Sequence, residues 1–119
     1  MNPMRILIAD DSEVVRRAVV RMLANDARWL VCGEASNGTE ALQKAVELQP
    51  DLILLDISMP DLNGLQVARR LKVDLPTAKI LVISQNDPLA LLPAAMESGA
   101  SGCVDKARLS MDLLPAIAR

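Results

Sequence analysis

Leu52-Ile53-Leu54-Leu55-Asp56-Ile57-Ser58-Met59-Pro60 decides the reading of this chain. Four apolar residues run straight into a carboxylate, and a proline closes the segment four residues later. An unbroken apolar run of this length, with charge only at its ends, predicts a strand buried on both faces. Asp56 then stands at the carboxyl end of a central strand, where open α/β sheets place their ligand crevice. A carboxylate in such a place is costly unless a cation or a metal pairs with it.

The flanking pattern alternates short apolar runs with amphipathic stretches. Ile6-Leu7-Ile8-Ala9 reads as a first strand ending at Asp10-Asp11. Ser12 and Glu13 open a helix, in which Val14, Val15, Ala18, Val19, Met22 and Leu23 fall at helical spacing. Arg16, Arg17 and Arg21 read as its solvated face. Trp29–Ala35 is a second strand, placed near an edge because it carries Gly33 and Glu34. After the turn signal Asn37-Gly38, Thr39-Glu40 opens a helix through about Leu48, and Pro50 stops it. Asn63-Gly64 marks a loop, and Leu65, Val67, Ala68 and Leu71 form the apolar side of a third helix ended by Pro76.

Lys79–Ser84 is a fourth strand, apolar up to its polar terminus. Asp87-Pro88 signals a helix start, with the helix ending near Gly99 and Pro93 inside it. Gly102-Cys103-Val104 is a short fifth strand leading to Asp105-Lys106, and a last helix covers roughly Asp112 to Arg119. Five strands alternating with five helices imply a parallel sheet with right-handed crossovers and helices on both faces.

Bulk properties remove several classes of function. At 119 residues the chain is expected to form one domain, 1–119, with a real core. That core must be aliphatic, because Phe and Tyr are absent and Trp29 is the one aromatic residue. A net charge of −2 argues against direct nucleic-acid contact by this chain. Histidine is absent, so histidine-based acid–base catalysis is excluded, and Cys32 and Cys103 lack zinc-site spacing. Two isolated cysteines fit a reducing, cytoplasmic setting. The apolar run near the N-terminus is too short for a signal peptide or a membrane span.

The informative polar residues converge on one edge of the expected sheet. Asp10 and Asp11 end the first strand, Asp56 the third and Ser84 the fourth, and Lys106 follows the fifth. Crowded carboxylates favour a hard divalent cation, and magnesium suits a few carboxylates, a backbone carbonyl, water and a substrate phosphate. Lys106 can hold a phosphoryl oxygen as a point charge, and the Ser84 hydroxyl can donate to another. Singly, each has an ordinary explanation: Asp10-Asp11 and Ser84 as caps, Lys106 as a partner for Asp56. Jointly they supply every group that phosphoryl chemistry on Asp56 needs.

This set, with Met59-Pro60, Gly64 and Gly99-Ala100, resembles the receiver domain of two-component response regulators across the whole chain. The resemblance implies the flavodoxin-like doubly wound fold with strand order 2-1-3-4-5. It also implies that Asp56 accepts a phosphoryl group from a phosphohistidine of a sensor histidine kinase. Mg2+ would be bound by Asp11, Asp56 and the backbone carbonyl of Ser58, with Asp10 acting through water. Lys106 and Ser84 would hold the acyl phosphate. The fourth helix, fifth strand and fifth helix would change and control an output, transcription being the expected one, and a homodimer is among the expected assemblies. Gly33–Gly38 and Ser98–Gly102 most resemble the branch with a helix-turn-helix output, so a DNA-binding domain outside this chain is a further expected partner.

The sequence also departs from the family pattern. Cys103 stands where receivers usually carry Tyr or Phe, so ring rotation cannot report the switch. Gln85 either narrows access to Asp56 or faces solvent. Pro93 is expected to kink or shorten its helix, and Pro115 to break the last helix unless that helix starts near Asp112. These changes predict an altered signalling face over intact phosphorylation chemistry. The alternative is a pseudo-receiver, a phosphorylation-independent interaction module. A DxDx[TV] phosphatase is disfavoured because Asp56-Ile57-Ser58 lacks the second aspartate, and no GxGxxG or GxxxxGK[ST] supports a nucleotide enzyme.

Overall fold

A computed structural model describes residues 2–85 and 88–118. Asp87 of the expected helix-start signal and the expected helix end at Arg119 lie outside the described residues. Five strands, β1 (Met4–Ala9), β2 (Trp29–Ala35), β3 (Leu52–Asp56), β4 (Lys79–Ser84) and β5 (Gly102–Asp105), alternate with five helices. These are α1 (Glu13–Ala24), α2 (Gly38–Leu48), α3 (Gly64–Asp74), α4 (Pro88–Glu97) and α5 (Leu109–Ala118). All pairings are parallel and the order is β2-β1-β3-β4-β5, so β3 is central and β2 lies at an edge, as expected.

The apolar run of β3 divides between two cores because successive side chains on a strand point to opposite faces. Ile53 and Leu55 pack with Val67, Ala68 and Leu71 of α3. Leu52 and Leu54 pack with Val19 and Leu23 of α1 and Leu113 and Ile117 of α5. Each fully buried aliphatic side chain contributes about 1.5–3 kcal/mol. That gain outweighs the lone polar terminus at Asp56. Trp29 closes the second core at the amino end of β2, away from Asp56, with the Arg28 guanidinium 4.6 Å from its ring.

Local chemistry sets the helix starts. Ser12 Oγ accepts from Val15 N, and Asn37 Oδ1 accepts from Glu40 N, which moves the start of α2 forward to Gly38. Val14, counted on the apolar side of α1, is 78% exposed, because the buried stripe of that helix centres on Val19 and Leu23.

The last helix corrects the expectation from sequence. A 3₁₀ turn over Lys106–Arg108, capped by Asp105 Oδ1, leads directly into α5 at Leu109. Pro115 therefore lies inside α5, not in its first turn. Leu109, Leu113 and Ile117 recur every fourth residue and are buried, so packing holds the helix together past the proline. Likewise α4 is not shortened at Pro93 but continues to Glu97, with Pro93 exposed and Ala95 buried. Among the described residues no helix is long and apolar enough to cross a membrane.

Two contacts fix the loop after β3. A Cβ on Gly64 would lie 2.3 Å from Ile57 Cα, so only glycine lets α3 begin against the strand end. Asp61 accepts from Gly38 N at 2.7 Å, Thr39 N at 3.0 Å and Thr39 Oγ1 at 2.9 Å, tying the loop to the start of α2. Those bonds, the backbone ones first, hold its carboxyl down at about 2.

Gly64→Ala is expected to destabilise the fold by about 1–3 kcal/mol, measured by urea denaturation. The Asp61 carboxylate is favoured in the folded state, so its contribution is present above the ordinary 3.8 and is lost as pH falls through about 2. Asp61→Asn should therefore lower the melting temperature at pH 7, with the gap from the parent narrowing as the pH is lowered from 4 towards 2.

Candidate functional site

Parallel pairing brings the carboxyl ends of β1, β3 and β4 and the residue after β5 together. Asp56 lies opposite Ile83, and Ser84 opposite Asp105. Asp10, Asp56 and Ser84 are fully buried, whereas Asp11 is exposed. Carboxylate oxygens of Asp10, Asp11 and Asp56 lie within 4.8 Å of one another.

Lys106 reaches into this cluster with its side chain only 11% exposed. Its Nζ lies 3.2 Å from Asp56 Oδ2 and 3.1 Å from Asp10 Oδ2. It thus pairs with both carboxylates, not with Asp56 alone. Burial opposes the charge on Lys106, but the hydrogen bonds and charges of Asp10 and Asp56 outweigh it and raise its pKa. Asp10 is pushed above the ordinary carboxylate value, first by burial and then by the nearby Asp56 charge, with Ser12 N–H and Lys106 opposing.

Backbone donors orient the carboxylates from the other side. Ser12 N donates to Asp10 Oδ1 at 2.8 Å, and Ser58 N donates to Asp56 Oδ1 at 2.9 Å. Asp10 Oδ2 has no hydrogen-bond partner among the described residues, although Lys106 Nζ stands at ion-pair distance from it. The ammonium lies outside hydrogen-bond geometry at that oxygen, so its attraction is only coulombic. A buried oxygen in this condition, beside two more carboxylates, is a set of hard donors suited to a divalent cation.

Gln85 is exposed and lines an open cleft of about 470 Å³ with Ser12, Val15, Lys106 and Ala107. It stands at the rim of the site and does not plug it. Cys103 packs against the α3 side of the sheet, and burial raises its thiol pKa.

Sequence reasoning misplaced one residue here. Arg16, read as part of a solvated face, has a side chain only 16% exposed, donates from Nη1 to the Asp10 carbonyl at 2.7 Å and pairs with Glu34. Arg17, one residue on, is 69% exposed and pairs with Glu13. Helical spacing does not separate the two; the position of the β2 end does.

Comparison with known proteins agrees with this geometry. The family model of the response regulator receiver domain matches residues 6–118. A putative transcriptional regulator of Pseudomonas aeruginosa is 40% identical over 110 residues, covering 92% of this chain and 53% of that protein. The response regulator GacA of Pseudomonas viridiflava is 35% identical over 115 residues, covering 95% and 53%. The chain thus spans about half the length of the curated relatives it matches. Among solved structures, the signal receiver domain of the putative response regulator NarL from Mycobacterium tuberculosis superposes with a TM-score of 0.85 at 33% identity, covering 100% of both chains. A LuxR-family two-component response regulator from Aurantimonas gives 0.90 at 29% identity, covering 98% of this chain and 83% of that one. Fold, strand order, acidic cluster and sequence agree: the chain belongs to the receiver-domain family of response regulators.

Proposed function

We propose that this receiver domain is a phosphorylation-controlled switch in which Asp56 accepts a phosphoryl group from a sensor histidine kinase in the cytoplasm. The observation that carries the reading is the placing of Asp56 beside Asp10, Asp11 and Lys106 at one sheet edge. Asp11, Asp56 and the Ser58 carbonyl would hold Mg2+, with Asp10 acting through water. When bound, the metal would neutralise charge on the transferring group. The chain's own contribution is positioning. Ser58 N–H orients one Asp56 oxygen, Lys106 draws the other, and burial keeps bulk water from competing. Once Asp56 carries the phosphoryl group, Lys106 would hold one of its oxygens and the Ser84 hydroxyl another. Catalysis is confined to the domain's own phosphorylation and hydrolysis.

The signal would leave through α4, β5 and α5, where Leu89, Met96 and Met111 stand exposed. With Cys103 in place of an aromatic ring, the movement of Ser84 would reach that face by a shift of α4 against β5. A fused DNA-binding output domain fits the relatives, and a second copy of the chain is an alternative partner for the same face.

Intact mass after incubation with Mg2+ and acetyl phosphate tests the assignment. The parent should gain one labile phosphoryl group, and Asp56→Asn none. If the parent gains none with acetyl phosphate or with a panel of histidine kinases, the pseudo-receiver reading replaces this one. Mg2+ should raise the melting temperature of the parent but not of Asp11→Asn, checked by thermal denaturation with and without the metal. Lys106→Met removes the cation that the metal must displace. It should bind Mg2+ more tightly than the parent in calorimetric titration, yet retain the phosphoryl group poorly.

A further inference from the structure

The site has a support on α1 that no ligand role accounts for. Arg16 spans from the helix to the end of β1. Its Nη1 donates to the main-chain carbonyl of Asp10 at 2.7 Å, while its Nε donates to Glu34 Oε1 at 3.1 Å. Glu34 belongs to β2, and its own carbonyl accepts from Lys44 of α2. The peptide joining Asp10 to Asp11 is therefore gripped from outside the acidic cluster by a guanidinium anchored to the neighbouring strand. On its inner side the same segment is closed by the turn in which Ser12 N donates to Asp10 Oδ1.

From this we infer that Arg16, held by Glu34, is a positioning residue that sets the aim of the Asp10 and Asp11 carboxylates for a divalent cation. The inference rests on the proposed use of the acidic cluster as a metal site. Two considerations separate it from a bland staple between α1 and β2. First, the bond is made to the one peptide that carries two of the three clustered carboxylates, so turning that peptide moves both at once. Second, a positive charge beside a cation site should, by Coulomb's law alone, weaken metal binding. Positioning and charge thus predict opposite signs when Arg16 is removed. Groups that orient metal ligands from behind commonly carry ten- to a hundredfold of the affinity (about 10–100-fold). A guanidinium suits this task because its planar fork fixes two acceptors at a set angle, which an ammonium cannot do.

The test is calorimetric titration of the 119-residue chain with Mg2+, comparing the parent with Arg16→Gln, Arg16→Lys, Glu34→Gln and Arg17→Gln. Each variant is first checked for folding by circular dichroism. Arg17→Gln removes the same charge from the next position of the same helix and serves as the control. Arg16→Gln should weaken Mg2+ binding about tenfold or more. Arg16→Lys should weaken it despite keeping the charge, and Glu34→Gln should do so by less. Arg17→Gln should stay within about twofold of the parent, as exposed ion pairs contribute little. A readout without metal accompanies it: amide exchange at Ser12 should quicken in the Arg16 variants and not in Arg17→Gln. Equal or tighter Mg2+ binding by Arg16→Gln, with Ser12 protection unchanged, overturns the inference. If Arg16→Gln does not fold, Arg16→Lys and Glu34→Gln decide by the same criterion. Should the parent neither bind Mg2+ nor accept a phosphoryl group, the proposed function fails, and Ser12 exchange still decides whether Arg16 fixes the peptide.

Discussion

One ammonium stands between two fully buried carboxylates. Lys106 Nζ lies 3.1 Å from Asp10 and 3.2 Å from Asp56, and both acids are fully buried. Burying a charge without a partner is costly enough that such a cluster persists only if each member is held. The fold supplies the holds: a backbone N–H from Ser12, another from Ser58, and Lys106 delivered by β5. Even so, Asp10 keeps one oxygen without a hydrogen bond among the described residues. The site is stable but incompletely satisfied, which is the condition in which an incoming cation or phosphoryl group gains most.

The rest of the molecule can be understood as what brings these groups together. Packing on both faces fixes β3, and with it Asp56, to its neighbours by side chains that alternate between two aliphatic cores. The loops that follow are short and tightly set. Gly64 lets α3 begin in contact with Ile57, and Asp61 fastens the same loop to α2. Both contacts hold the loop that carries Ser58 against its neighbours. Rigidity behind the site, and not just the identity of the acids, is what positional chemistry of this kind requires.

The face of α4, β5 and α5 obeys a different constraint. Pro93 and Pro115 each remove a backbone donor inside a helix, yet both helices persist because their inner faces are buried by small and aliphatic side chains. Intrinsic propensity is a weak prior that packing overrides. The prolines stand exposed, where an outward bend costs least. Cys103 on the α4 side of the sheet is smaller than a ring, so the space between α4 and β5 is governed by aliphatic packing and not by an aromatic swing.

Much of this was legible in the chain itself. Alternating strands and helices, the buried β3 run and the polar strand ends follow from local rules: side-chain periodicity, caps and the cost of burying charge. Those rules place Asp10, Asp11, Asp56, Ser84 and Lys106 at one edge, because parallel strands must end on the same side. Tertiary structure alone decided the rest. Whether α5 begins at Leu109 or Asp112 depended on packing against the sheet, which the proline signal could not register. The difference between Arg16 and Arg17 was equally hidden. Adjacent arginines on one helix are alike in sequence, and only the ends of β2 and β1, folded in beside α1, give one of them a carboxylate and a buried carbonyl to hold. Local sequence specifies which groups reach the sheet edge. Contacts between elements distant in the chain specify how those groups are aimed, because aim is set by whatever packs behind them.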